Sequence, residues 1–326
     1  MGHRPSVALA LASVLLWTCT PEEPGPPVTR NRDLRWTARA PAPTPRTEVT
    51  AAAVTTSVFV AGGFAEDGST VATVEIYDAG TDAWSKGPDL PVAVNHPMSA
   101  VLDGTVYVLG GYLGPSLANP TGRGFALHEG GWVELPPMPQ PRAAGGAAGV
   151  DGRIYVVGGV GPEGLAGSTL VFEPGSERWT TAPAPPTPRE HLGVAAFDDQ
   201  IYAVGGRTGG IGTNLTATET FDPRRGEWRS LAAMPSARGG IAAAATENGF
   251  IVAPGGEADR AFDTVEAFDV ETGRWIVLPP MPTARHGLGV VAVGNVVHVI
   301  AGGPTPGFSF SSANEALDLG SLQEDR

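Results

Sequence analysis

The residues of this chain whose types and spacing could do chemistry fall into two recurrent series. Arg46, Arg142, Arg189, Arg238 and Arg285 each stand sixteen or seventeen residues before a Gly-Gly pair, and Val94 takes the remaining place. Glu75, Glu219, Glu266 and Glu315 each stand three residues before an aspartate. The two series could pair as bridges between successive repeats, or the five arginines could form a ring that grips an anion. Bridges are the expectation, because a pair found in most copies of a repeat belongs to the frame rather than to a site.

Other chemistry leaves little trace. The six histidines, His3, His96, His128, His191, His286 and His298, are dispersed, and none has the short spacing to a second ligand that a local zinc motif needs. No metal and no cofactor is expected from spacing. There is no Gly-x-Ser-x-Gly elbow and no Walker loop. The sequence therefore offers no catalytic set.

Whatever these residues do, a periodic frame positions them. Gly-Gly pairs stand at 62-63, 110-111, 158-159, 205-206, 255-256 and 302-303, at intervals of 47 to 50 residues. Trp36, Trp84, Trp132, Trp179, Trp228 and Trp275 repeat at 47 to 49 and keep the same phase. An apolar run such as Val106-Tyr107-Val108-Leu109 leads into each glycine pair and suits a strand buried on both faces. A second run ends in an aromatic-acid pair: Tyr77-Asp78, Phe172-Glu173, Phe221-Asp222 or Phe268-Asp269. Gly at 45 and Pro at 31, with no three-residue period, supply turns between short strands.

From Leu34 to about Leu319 these features resemble the kelch repeat, whose unit is a four-stranded blade of about 50 residues. The resemblance implies an all-β, six-bladed β-propeller. The chain begins on a Trp strand near Leu34 and ends on a third-type strand near Glu315 to Leu319, so the N-terminal strand is expected to complete the last blade and close the ring. Copper-radical oxidases built from similar repeats need a cysteine cross-linked to a tyrosine inside the propeller; the one cysteine, Cys19, precedes it. The Ser-x-Asp-x-Gly-x-x-Trp boxes of six-bladed sialidases are absent.

In kelch proteins that bind peptides, two positions line one mouth of the channel. The residue after Gly-Gly is Phe64, Tyr112, Val160, Arg207, Glu257 or Pro304 here. The residue two past the repeat arginine is Glu48, His96, Ala144, His191, Gly240 or Gly287, with His286 beside the last. Unlike the frame, these positions differ from repeat to repeat. The resemblance therefore implies a ligand site at Phe64, Tyr112, Arg207, Glu257, Glu48, His96, His191 and His286, with aromatic area for a peptide loop or sugar and Arg207 as a fork for carboxylates.

Bulk properties narrow the partners. The net charge is −13 and Lys86 is the one lysine, so no basic stripe is present to meet phosphates, and nucleic acid is not an expected partner. His3 and Arg4 precede an apolar run from Val7 to Trp17, which has the length of an export signal and is too short to span a bilayer. Cys19, directly after Leu15-Leu16-Trp17-Thr18, resembles the acylated cysteine of a bacterial lipobox, although Thr18 replaces the usual small residue. Residues 1–19 are expected to be a signal, 20–33 a Pro-rich tether and 34–326 the propeller. The expected product is an exported protein of the cell envelope, or a secreted one, touching the membrane only through a lipid at Cys19.

Two functions follow. The first is a binding or scaffold module that recognises a protein or carbohydrate through the loops at one mouth. The second is a sugar-processing enzyme resembling the six-bladed kelch sialic-acid mutarotases, in which mouth Arg, His and Glu groups open and close a hemiacetal.

Overall fold

The structure, a computed structural model, describes residues 1–2, 28–29 and 34–323. The expected export signal and Cys19 lie outside the described residues.

Six antiparallel sheets are arranged around one axis. Blade one comprises Thr50–Val54, Ser57–Ala61, Val74–Asp78 and Ala83–Lys86, from the axis outward. Blades two to five repeat this order, with inner strands Met98–Leu102, Gly146–Val150, Gly193–Phe197 and Ala244–Ala245. Blade six takes Gly289–Val293, Val296–Ile300 and Asn314–Asp318 from the C-terminal part. Its outer strand is Trp36–Ala38, with Trp36 opposite Leu317 and Ala38 opposite Glu315. The ring is closed as the terminal sequences predict. A further short strand, Val28–Thr29, runs parallel along the outside of blade five.

Convergence on the axis favours small inner residues. Ala51, Ala53, Ala100, Ala147, Ala195 and Ala243 line an axial cavity, with the larger Val101, Val290 and Val291 among them. The second and third strands of each blade are buried on both faces, and their Val, Ile, Leu and aromatic side chains form the cores between blades.

The tryptophans tie the outer strands together. Each indole N–H donates to a carbonyl one or two residues past the outer strand of the preceding blade: Trp84 to Ala40, Trp132 to Pro88, Trp179 to Pro136, Trp228 to Pro183, Trp275 to Ala232 and Trp36 to Pro279. Four of them also lie against the aromatic of their own hairpin, as Phe172 does with Trp179 at 4.8 Å.

The glycine pairs owe their identity to the next blade. The second glycine donates its N–H to the carbonyl of the next blade's Arg position, as Gly63 does to Val94 and Gly111 to Arg142. A Cβ on the first glycine would lie 2.1 to 2.7 Å from that same carbonyl in blades one to five. In blade six the pair is Ala301-Gly302, because Gly302 is the residue that donates to Arg46. The Gly302-Gly303 phase in the sequence is thus one residue late, and Gly303, not Pro304, holds the position after the pair.

The arginine–glutamate bridges form, with one correction: they lie within a blade, not between blades. Arg46 meets Glu75, Arg189 meets Glu219, Arg238 meets Glu266 and Arg285 meets Glu315, at 2.5 to 2.9 Å. Each buried guanidinium also donates to strand-end carbonyls of its own blade, as Arg46 does to Gly62 and Thr73. Burial pulls these arginines below their ordinary pKa, opposed by the facing glutamate.

Candidate functional site

The site is built on a backbone circuit at one end of the channel. The residue two past the Arg position adopts the left-handed region in all six blades, with φ between 51° and 70° at Glu48, His96, Ala144, His191, Gly240 and Gly287. In that conformation each N–H turns sideways. His96 donates to the Glu48 carbonyl, Ala144 to His96, His191 to Ala144, Gly240 to His191 and Gly287 to Gly240, and Val49 N–H donates to Gly287 to complete the circle. Four of the six are not glycine, at a cost of about 1 kcal/mol or more each. Strain accepted at one ring of residues directs attention to their side chains.

Glu48 is central. Its Oε2 lies 3.1 Å from His96 Nε2 and its Oε1 3.3 Å from His286 Nδ1. Burial would raise its pKa, but His96, His286 and His191 reverse this and hold the carboxyl far below the usual carboxylate range. Glycine on the far side makes the room: a Cβ at Gly287 would come within 2.6 Å of the Glu48 carboxylate.

A second ion cluster adjoins it. Arg207 Nε lies 3.2 Å from Glu190 Oε1, and its Nη1 lies 3.0 Å from Glu257 Oε1. Glu257 Oε2 accepts from Gly307 N–H and approaches His286 Nδ1 at 3.5 Å. His286 turns its Nε2 to the Thr305 carbonyl, and although burial opposes its charge, Glu48 and Glu257 raise its pKa. Arg207 is therefore engaged by two carboxylates, and the expected fork for a ligand carboxylate is already filled.

The histidines at 96 and 191 differ from this. His96 is buried, and burial brings its pKa down to about 4 despite Glu48, with His191 and Arg207 acting in the same direction. Its ring lies edge-on to that of His191, with centroids 4.9 Å apart. His191 is 8% exposed and neither ring nitrogen makes a hydrogen bond, since its 3.2 Å approach to Glu190 Oε2 is poorly aligned. One donor atom each from Glu48, His96 and His191 lie within 4.8 Å of one another. Spacing along the chain gave no such group because its members come from three blades.

Above this floor lies a cleft of about 260 Å³ walled by Phe64, Leu117, Ile211 and Phe308. Phe308 packs on Phe64 with centroids 4.9 Å apart. Below the floor, all six left-handed residues border an axial cavity of about 100 Å³. The structure thus brings Glu48, Phe64, His96, Arg207, Glu257 and His286 to one cleft, with His191 beneath it. Tyr112 is buried, sets its ring edge against His96 at 5.5 Å and lines no part of this cleft. Glu190, Asn95 and Phe308 are additional members. The first two immediately follow the Arg position, which also varies from repeat to repeat and could have been read for that reason.

The comparisons with known proteins agree with the fold. The profile of the KLHDC2/KLHL20/DRC7 Kelch-repeats domain matches residues 95–303, and that of the Kelch motif matches residues 45–91. The chain belongs to the kelch-repeat family. Among solved structures, this kelch protein is similar to that of YjhT, with a TM-score of 0.73 and 16% identity over 85% of this chain and 96% of the other. At that identity the likeness speaks for the propeller alone. No curated protein matches this kelch chain.

Proposed function

We propose that this kelch propeller is a binding module that takes one side chain of a protein loop, or one ring of a glycan, into the cleft at the channel mouth. The observation that carries this reading is an exposed apolar rim over a buried charged floor. Leu117 and Phe308 are 53% and 64% exposed, while most large apolar side chains among the described residues are covered. A cleft of about 260 Å³ is smaller than the roughly 300 Å³ at which drug-sized pockets begin. It suits one inserted group, with the surrounding loops contacting the rest of the partner.

The test is a glycan array and a displayed peptide library, followed by titration of any hit against wild type and the Leu117→Ala, Phe308→Ala double variant. Both side chains are exposed, so melting should be unchanged while affinity falls at least about tenfold, as for an interface anchor. Equal affinity for the two proteins removes the reading.

A second reading, acid–base chemistry on a sugar hemiacetal, is supported by the packing of Glu48, His96 and His286 within 3.3 Å contacts and by the unpartnered Nε2 of His191. Faster exchange between anomers of a reducing sugar by NMR, abolished in His191→Ala, is its expected signature. Exchange at the uncatalysed rate across a panel of reducing sugars, sialic acid included, excludes it.

The apolar run and Cys19 support an envelope location with a lipid anchor. Labelled palmitate should enter the wild-type protein and not Cys19→Ser.

A further inference from the structure

We infer that Glu48, His96 and His191 bind one divalent transition-metal ion of the zinc or ferrous type at the top of the propeller axis, with the remaining coordination positions open to the axial cavity beneath the mouth cleft. This does not depend on either reading above.

The first argument concerns which atom of His96 carries a proton. Asn95 Nδ2 faces the carbonyl oxygens of Gly114 at 2.9 Å and Tyr112 at 3.4 Å, together with Thr70 Oγ1 at 2.9 Å. Carbonyls only accept, so this end of the amide is the donor, and Asn95 Oδ1 is the atom 2.7 Å from His96 Nδ1. Nδ1 is then the protonated nitrogen, which leaves the Nε2 lone pair facing Glu48 Oε2 at 3.1 Å. Two acceptors at that distance need a cation between them. A ligating histidine that gives its other N–H to an oxygen acceptor is also the usual outer-shell arrangement around a bound metal.

His191 supplies an independent observation. It is more than nine-tenths buried, it projects into the same space, its Nδ1 has only a 3.2 Å approach to Glu190 Oε2, and its Nε2 has no partner. Leaving a buried ring nitrogen unpaired costs about 1–3 kcal/mol. Its position also requires a left-handed backbone at a residue that is not glycine.

The geometry fits an ion. Metal bonds of about 2.0–2.2 Å place the donors of a tetrahedral set about 3.3–3.5 Å apart. Glu48 and His96, at 3.1 Å, are a little closer than that and would part by a few tenths of an ångström, and the three donors lie within 4.8 Å, so His191 would draw in by about an ångström. The second oxygen of Glu48 is held by His286, which fixes the carboxylate plane. The adjoining cavity of about 100 Å³ has room for about three waters in open positions.

Charge and softness select the ion. The clusters place the carboxylates of Glu48, Glu190 and Glu257 around Arg207 and His286, so the site is walled by three carboxylate side chains and one arginine. Two imidazoles and one carboxylate suit zinc or ferrous iron rather than magnesium or calcium, which prefer all-oxygen sets. Three protein ligands are the number found where a site keeps positions open.

The test uses the full chain, stripped with a chelator and titrated with zinc by calorimetry and with cobalt(II) by visible ligand-field absorption. One ion per chain with a ligand-field band is expected. His191→Ala and Glu48→Gln should each weaken binding beyond the about 10–100-fold that follows loss of an outer-shell partner, while His128→Ala, on the exposed hairpin of blade two, should bind as wild type. Absence of stoichiometric binding overturns the site, with a proton then standing between Glu48 and His96. Binding indifferent to both His191→Ala and Glu48→Gln overturns it equally. Should His191→Ala fail to fold, His191→Gln, which keeps the volume, decides on the same titration.

Discussion

Val94 packs in one apolar cluster with Phe125 in blade two, at the two positions that an arginine and a glutamate hold in blades one, four, five and six. The equivalence is fixed by register, since Phe125 pairs with Val108 as Glu75 pairs with Val60. Both members of the ion pair are replaced together, which leaves no orphan charge. Blade three shows the intermediate case: Arg142 is buried opposite Leu170 and bonds to the carbonyls of Gly158 and Ser168 and to Gln140, without a carboxylate. Its burial with no countercharge lowers its pKa to about 10.

These three states predict unequal costs. Arg189→Met abandons the buried Glu219 and should lose about 3–5 kcal/mol, whereas Arg142→Met abandons only neutral acceptors and should lose about 1–3 kcal/mol. Urea unfolding of the two variants compares them, and equal losses would show that the glutamate contributes nothing.

The ring closure predicts that removing residues 34 to 40 from the chain destroys the single unfolding transition. Blade six would lose its outer strand, the Trp36 bond to Pro279 and the Ala40 acceptor of Trp84. Calorimetry should show a broad or divided melt at lower temperature, and an unchanged melt refutes the clasp.

The left-handed ring predicts opposite effects at two of its members. Ala144→Gly relieves strain and should raise stability by up to about 1 kcal/mol. Gly287→Ala brings a methyl group against the Glu48 carboxylate at a φ of 57°, so it should lower stability and displace Glu48. Denaturation midpoints read the first pair of effects, and mouth binding reads the second.

His298 predicts an acid limit. Burial first, and then the positive charge of Arg39, bring its pKa from an ordinary 6.5 to about 4. The unfolded chain therefore takes up the proton first, so stability is full above about pH 6.5 and declines as pH falls toward 4, by up to roughly 3 kcal/mol. His298→Phe, packed beside Tyr77, should flatten this slope in midpoints taken at a series of pH values.

The frame was legible because each blade repeats the same steric demand. A carbonyl from the next blade excludes a side chain at Gly62, Gly110, Gly158, Gly205 and Gly255, and a carbonyl from the preceding blade waits for each indole, so both needs surface as periods. The slip in blade six came from Ala301, which serves where glycine serves elsewhere, next to an unrelated Gly303. The mouth was legible only as positions that refuse the repeat. What they do together was not, because Glu48, His96 and His191 are 48 and 95 residues apart and meet only across the axis. Likewise Arg207 reads in sequence as a free fork, and only the fold reveals Glu190 and Glu257 around it.

The circuit from Glu48 through Gly287 is closed by main-chain atoms alone, so its hydrogen bonds require no particular side chain. The propeller therefore offers six sockets at fixed bearings around an axis, and what fills one is limited by its neighbour, as Gly287 is by Glu48. A protein built this way can exchange one ligand for another by re-dressing a rim while its walls stay as they were.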